Sequence, residues 1–242
     1  MLLADKTAVV YGAGGAIGSA VARAFAREGA RMFLAGRTMP DLEAVANTIH
    51  TAGGTAHVAT VDVLDRAAVE HHTAAVVRTS NGIDIVFNAT SNDDVQGAAL
   101  VDTSFDDVMR PVIKAVSAHL VIATAVAAHM KARGTGVIVV MAGGREAIPA
   151  LGGSHVAWSA LAGLCRQLAC DLGPDGIRVA WLLSPGSPDP DDEGPDPDAG
   201  ATMLNRRPTF DDVANAAVFV SSDWASTMTA TEVNVTGGAV VD

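Results

Sequence analysis

Residues 11–18 read Tyr11-Gly12-Ala13-Gly14-Gly15-Ala16-Ile17-Gly18. A short apolar run precedes this stretch over residues 7–11, and a helix-like pattern follows it over 16–28. Glycines between a strand and a helix let the backbone approach the pyrophosphate of a dinucleotide. The context therefore predicts a dinucleotide-binding fold, with contacts to the cofactor from Gly12, Gly14, Gly15, Ile17 and Gly18.

Strand-like and helix-like segments alternate along the rest of the chain. Apolar runs of strand length lie at 7–11, 31–35, 55–61, 83–88, 137–141, 179–183 and 232–235. Helix-like stretches lie at 16–28, 41–51, 65–80, 105–132, 153–172 and 211–221. Nearly continuous apolar strands are typical of parallel sheets covered on both faces. The pattern predicts the α/β class, with one Rossmann-type domain over 1–242 whose doubly wound, seven-stranded parallel sheet is flanked by helices.

Composition restricts the class of partner. The net charge is −11, from 27 acidic and 16 basic residues, which disfavours nucleic acid or an anionic membrane as a partner. No apolar run approaches the roughly 20 residues that span a bilayer, and the first residues lead straight into a strand instead of a signal peptide. We therefore expect a soluble cytoplasmic protein. Cys165 and Cys170 fall on different faces of one predicted helix, so we expect two buried free thiols.

Residues 184–209 break the alternation. They contain six prolines and many acids, a composition too polar for core structure. The segment follows a strand, and ligands of open α/β sheets bind beyond the carboxyl ends of strands. We expect a flexible loop on the substrate side. It is either a solvated loop or a mobile lid over a pocket, and the two interpretations are compatible.

The end of the second predicted strand indicates which cofactor the fold holds. Sites for the unphosphorylated dinucleotide carry an acid about 20 residues after the glycines, whereas this chain has Arg37 and Thr38 there. A guanidinium pairs with a 2′-phosphate, so these residues predict NADP(H) over NAD(H). The alternative is that Arg37 is an ordinary solvated charge. Later strand ends add candidate cofactor contacts, namely Asp62, Val63, Asn88, Ala89 and Thr90.

These motifs resemble the short-chain dehydrogenase/reductase family over nearly the full length. The family's Thr-Gly-x-x-x-Gly-x-Gly is similar to residues 11–18 with Tyr in place of Thr, and its Asn-Ala-Gly to residues 88–90. Residues 172–179 and 210–238 resemble its later segments. Ser184-Pro185-Gly186 resembles its Pro-Gly turn, so the resemblance implies that Pro185 and Gly186 flank the nicotinamide.

The resemblance also implies a catalytic set that this chain lacks. In the family, a tyrosine exchanges a proton with the substrate, a nearby lysine lowers its pKa, a serine orients the substrate and an asparagine holds a water chain. The only tyrosine here is Tyr11, and the last lysine is Lys131. An ungapped comparison puts Ser154 at the tyrosine and Trp158 at the lysine. The serine position falls on Gly143 or Ala142, and the asparagine position falls near Val112.

Two side chains beside this gap are candidate catalytic groups, Ser154 and His155. A serine hydroxyl is too weak an acid to replace an activated phenol without a base. Histidine can act as acid or base near neutral pH, although a lone histidine is more often structural. Arg145 and Glu146 either bind a charged substrate or pair with each other in a loop. No histidine spacing is typical of metal ligands, so no metal site is predicted.

The sequence is compatible with three functions. The first is an NADP(H)-dependent oxidoreductase that acts on a small organic substrate through a non-standard proton relay. The second is a catalytically silent NADP(H)-binding protein, either a sensor or a regulatory partner, and the third is a pocket repurposed for non-redox chemistry. Predicted helices 105–132 and 153–172 are apolar on more than one face. The family commonly associates through these two helices, so we expect a homodimer or homotetramer.

Overall fold

A computed structural model describes residues 1–184, 186–188, 196 and 198–241. The strands are β1 (Thr7–Tyr11), β2 (Arg31–Gly36), β3 (Thr55–Thr60), β4 (Ile85–Asn88), β5 (Gly136–Gly143), β6 (Ile177–Leu183) and β7 (Thr231–Asn234). The α-helices are α1 (Ala16–Arg27), α2 (Met39–Thr51), α3 (Arg66–Ser80), α4 (Phe105–Arg133), α5 (Ser154–Leu172) and α6 (Phe210–Ser221). The order of elements is the predicted one.

All seven strands form one parallel sheet in the order β3-β2-β1-β4-β5-β6-β7. The chain starts in the middle of the sheet and builds outward in both directions. The strand order therefore reverses between β1 and β4, which leaves a crevice beyond their carboxyl ends. The predicted doubly wound Rossmann-type architecture is confirmed.

Two apolar layers cover the two faces of the sheet. One cluster joins the sheet to α1, α2 and α6, with Phe25, Leu42 and Val213 among its buried side chains. The other joins the opposite face to α3, α4 and α5, with Val69, Ile122 and Leu161 buried. Every residue of β1 and β4 is buried, because helices cover both sides of these strands.

Helix α4 corrects one expectation from composition. It is long and apolar enough to cross a membrane by length and composition alone. The sequence expectation overlooked this because it searched for an uninterrupted apolar run, and Lys114 interrupts the one in α4. In the fold the helix is a core element, since Ala115, Ile122 and Val126 are buried in the layer it shares with α3 and α5.

Two other expectations have mixed outcomes. Cys165 is buried and free, but Cys170 is exposed, because residues five apart on α5 face the core and the solvent respectively. The expected loop at 184–209 includes Pro185, 189–195 and 197, which lie outside the described residues. Its described end contains a short 3-10 helix, Ala199–Ala201, and buried Thr202.

Candidate functional site

The glycine-rich turn between β1 and α1 is packed too closely for larger residues at Gly12 and Gly18. A Cβ on Gly12 would lie 2.7 Å from the carbonyl oxygen of Ala89, and φ of Gly12 is +76°. A Cβ on Gly18 would lie 2.1 Å from the carbonyl oxygen of Gly12, so Gly18 lets α1 rest directly on the turn. Ile17 packs against the core, and neither Ile17 nor Gly18 lines the cavity described next.

A cavity of about 330 Å³ opens beyond the carboxyl ends of β1 to β4. It brings together most of the predicted cofactor residues, namely Gly12, Gly14, Gly15, Arg37, Thr38, Asp62, Val63, Ala89 and Thr90. Each strand end contributes because the ends of parallel strands meet at one edge of the sheet. These residues are far apart in sequence, and the topology alone makes them neighbours.

The amino terminus of α1 points a set of backbone donors at this cavity. The cap residue of α1 is Gly15, and no side chain accepts a hydrogen bond at this cap. The first N–H groups of a helix lack intrahelical partners and carry a partial positive charge. A pyrophosphate is the group that such a terminus binds best. The close-packed glycines and the uncapped helix therefore fit a dinucleotide.

Asn88, also predicted as a cofactor contact, lies at the end of β4 beside the cavity. Its side chain is buried, and its Oδ1 accepts hydrogen bonds from the backbone N–H and the hydroxyl of Thr90, at 3.0 and 2.8 Å. It braces the strand end without lining the cavity. Its Nδ2 is buried with no partner. A buried donor without a partner is costly, so this amide is an unsatisfied group at the end of β4.

Sequence reasoning missed two charged residues of the cavity, Asp93 and Lys114. Both line it, and they form an ion pair in which the Lys114 side chain is only 12% exposed. Lys114 is the only Asp, Glu, Lys or Arg between Arg110 and Lys131. A single charge inside an apolar helical stretch was the signal that could have found it, because such a charge requires a polar environment.

The catalytic candidates lie at the amino end of α5, outside that cavity. Ser154 is buried, and its hydroxyl donates to the carboxylate of Asp94 and accepts from Nε2 of Gln96 at 3.0 Å. The hydroxyl is thus fully used in holding the β4–α4 segment onto α5. His155, the next residue, has a buried Nδ1 with no partner. Of the two candidates, His155 is therefore the one whose side chain has an atom, Nδ1, without a hydrogen-bond partner.

Trp158 lies against the end of β5. A Cβ on Gly143 would lie 2.3 Å from the indole Nε1, and one on Gly144 would lie 3.4 Å from the ring. The β5–β6 register shifts between Met141 and Gly143, and φ of Gly143 is +78°. The indole therefore covers the backbone at Gly143, which is one of the two positions, with Ala142, compared with the family's serine.

Tyr11 and Arg145 each make contacts within the fold. Tyr11 is buried, with its hydroxyl 3.2 Å from Nδ1 of His72, and burial raises the pKa of Tyr11 to about 12. Arg145 pairs with Glu232 and donates to the carbonyl oxygen of Val241, so it joins β5 to the C-terminal segment. Its distance to Glu146 is 3.8 Å.

Of the two residues in the predicted Pro-Gly turn, the structure describes Gly186. Pro185 lies outside the described residues, while Gly186 has φ of +94° and does not line the cavity. The neighbouring hydroxyls of Ser184 and Ser187 are buried without partners. Within the described part of the chain, no group of three or more His, Cys, Asp or Glu side chains is placed to hold a metal ion.

Known proteins share this fold and this sequence pattern. A family model described as enoyl-(acyl carrier protein) reductase matches residues 12–240. An uncharacterized oxidoreductase of Mycobacterium tuberculosis is 32% identical, over 98% of this chain and 92% of the relative. A short-chain dehydrogenase/reductase structure from Serratia marcescens has a TM-score of 0.88 and 26% identity, with both chains fully covered. A structure of NAD⁺-bound xylitol dehydrogenase has a TM-score of 0.87 and 25% identity, over 98% of this chain and all of the other.

The family's function agrees with the cavity at the strand ends. Its members are oxidoreductases that bind a nicotinamide cofactor. The chain is therefore a member of the short-chain dehydrogenase/reductase family.

Proposed function

We propose that this protein is an NADP(H)-binding oxidoreductase that moves a hydride to or from a small organic substrate by a non-standard proton relay. The observation that carries the proposal is the cavity beyond β1 to β4. The glycine turn and the α1 amino terminus form one side of it, and Arg37 and Thr38 lie on the other. A bound nicotinamide cofactor would supply the hydride chemistry.

Preference for the phosphorylated cofactor is supported by the position of Arg37. Arg37 follows β2 directly, at the place where sites for the unphosphorylated cofactor carry an acid that hydrogen-bonds to the ribose 2′-hydroxyl. Both Arg37 and Thr38 are exposed and line the cavity. Asp41 also lines the cavity, but it lies on the first turn of α2 beside Gly14. The guanidinium would pair with a 2′-phosphate, which a carboxylate at this position would repel.

The proton relay cannot follow the family's tyrosine–lysine pair. Tyr11 is the only tyrosine, and it is buried in β1 behind the cavity. Each of the three lysines is paired with an acid: Lys131 with Asp175, Lys6 with Asp223 and Lys114 with Asp93. Ser154 is engaged by Asp94 and Gln96. His155 is therefore the group we assign to proton exchange with the substrate oxygen, directly or through water.

The test is turnover with NADPH and a panel of small aldehydes, ketones and activated alkenes. We expect slow NADPH oxidation with part of the panel, and a loss of about a hundredfold in kcat for His155→Ala. His129→Gln on α4 is the matched histidine control and should retain the activity. An unchanged rate in His155→Ala would exclude His155 from the relay.

The second candidate is a silent NADP(H)-binding protein that acts as a sensor or regulatory partner. The specific observation in its favour is Trp158, whose indole covers Gly143 and Gly144 at the end of β5. Tight NADPH binding, with no oxidation across the whole panel, would favour this candidate.

We also propose that α4 and α5 pack against a second copy of the chain. Ile113 and Leu120 are 60% and 43% exposed, and their spacing of two turns puts them on one face of α4. Val156 on α5 is 40% exposed. Light scattering should give at least a dimer for the wild type and a smaller species for Leu120→Glu. Val101→Glu, at a fully solvated site outside both helices, should leave the mass unchanged, and a monomeric wild type would contradict the proposal.

A further inference from the structure

The cavity holds an ion pair that the family resemblance did not lead us to expect. Lys114 reaches into it from α4, and its ammonium binds the carboxylate of Asp93 from the β4–α4 segment. Among the residues that line this cavity, Lys114 and Arg37 are the two cations. A phosphate that entered beside Arg37 would therefore meet a second positive charge and a carboxylate that already occupies it.

The carboxylate of Asp93 is held in place from several sides. The hydrogen bond from Lys114 keeps the pKa of Asp93 below its usual range, and the charges of Lys114 and Arg37 act in the same direction. The backbone of Asp93 has φ of +55°, a conformation that few residues with a side chain adopt. Its backbone N–H also donates to the hydroxyl of Ser91 at 3.2 Å.

The charges of Asp93, Lys114 and Arg37 indicate which ligand group this part of the cavity binds. An ionised carboxylate between two cations is the same kind of group that a 2′-phosphate presents, with less charge and fewer acceptor oxygens. A phosphate can thus take the place of Asp93 on Lys114, while NAD(H) has no anion at that end. Its pyrophosphate belongs at the glycine turn, on the other side of the cavity.

We infer that Lys114 and Asp93 set the cofactor specificity of this cavity. Lys114 joins Arg37 in binding the 2′-phosphate of NADP(H), and Asp93 is an internal competitor that the phosphate must displace. The inference rests on the proposed function, since it presupposes a dinucleotide in this cavity. It adds two residues, Lys114 and Asp93, to the cofactor site and predicts the direction of an effect. Removing the Asp93 carboxylate tightens binding of the phosphorylated cofactor alone.

Calorimetric binding to the full chain tests the inference with two probes. Adenosine 2′,5′-bisphosphate and AMP differ only by the 2′-phosphate, so their affinity ratio isolates that group. We expect Asp93→Asn to raise the affinity for the bisphosphate by about threefold or more, and to leave AMP within about twofold. Lys114→Gln should lower the affinity for the bisphosphate alone. In the Lys114→Gln background, the gain from Asp93→Asn should shrink, because the two residues act on one group.

Two controls separate the possible failures. Asp102→Asn removes an exposed acid from the same segment outside the cavity and should change neither affinity; thermal unfolding of each variant verifies that it is folded. If the wild type prefers the bisphosphate and Asp93→Asn changes nothing, the inference fails while the proposed cofactor stands. If Asp93→Asn weakens AMP, Asp93 binds the ribose hydroxyl instead and the inference is wrong. If neither NADPH nor NADH binds the wild type, the inference and the proposed function both fail.

Discussion

At the scale of single residues, Gly143 and Trp158 form a coupled pair. The indole of Trp158 lies where a side chain on Gly143 would project, and the positive φ of Gly143 is itself unfavourable for other residues. A serine could stand at position 143 only if residue 158 were smaller. The residue types at positions 143 and 158 therefore depend on each other.

This coupling predicts a non-additive pair of substitutions. Gly143→Ser should lower the free energy of unfolding by about 2 kcal/mol or more, since it adds both a steric clash and backbone strain. In the Trp158→Ala background the loss should be smaller by about 1 kcal/mol, because only the strain remains. Urea denaturation of the four proteins measures both values. Gly144→Ser, whose Cβ would make ordinary contact with the ring, is the control, and equal losses in both backgrounds would refute the coupling.

At the scale of elements, the junction of β1 and α1 holds the cofactor cavity together. Helix α1 approaches the glycine turn so closely that Gly18 has no room for a methyl group, whereas Gly15 does, with its nearest neighbour at 3.5 Å. Gly18 thus sets the position of the helix terminus without lining the cavity.

The junction predicts different outcomes for two alanine substitutions. Gly18→Ala should destabilise the fold by about 2 kcal/mol or more and abolish NADPH binding, because α1 must move away from the turn. Gly15→Ala should retain the wild-type stability to within about 1 kcal/mol. Thermal unfolding and calorimetry on both variants give the comparison. Wild-type stability in Gly18→Ala would show that the close packing does not constrain α1.

The helices and strands were predictable from the sequence because local patterns specify them. The residues that line the cavity were predictable only in part. Strand β1 is a short, largely apolar run bounded by Lys6 and Gly12, and its predicted bounds are the observed ones. Helix α2 begins at Met39, two residues before the prediction, because Pro40 occupies its first turn. The ion pair of Asp93 and Lys114, and the contact of Trp158 with Gly143, join segments distant in sequence. No local pattern encodes such contacts.

At the scale of the whole molecule, two buried histidines link stability to pH. Burial lowers the pKa of His72 and of His119 to about 4, in separate parts of the layer under α3 and α4. Free histidine titrates near 6.5, so between about pH 6.5 and 4 the unfolded chain binds more protons than the folded one. The part of the free energy of unfolding that depends on both histidines being neutral is therefore fully present above about pH 6.5. It is lost as the pH falls from about 6.5 to about 4.

We expect the free energy of unfolding to fall steeply as the pH is lowered, and one substitution to reduce this fall. The free energy of unfolding should fall by up to about 1.4 kcal/mol per pH unit for each histidine. His119→Gln should remove one of these two contributions, whereas His129→Gln, which alters a histidine on α4 that shifts the pKa of neither buried ring, should leave the slope unchanged. Urea denaturation at several pH values measures it. A slope in His119→Gln equal to that of the wild type would contradict the assignment.

The cavity beyond β1 to β4 should bind NADP(H) in preference to NAD(H). Calorimetric titration of the wild type and of Arg37→Ala with each cofactor measures this preference. We predict that NADPH binds the wild type at least about tenfold more tightly than NADH, and that Arg37→Ala reduces this preference by weakening NADPH alone. Arg66→Ala, at an exposed arginine outside the cavity, should behave as the wild type. Tighter binding of NADH, or no binding of either cofactor, would contradict the claim.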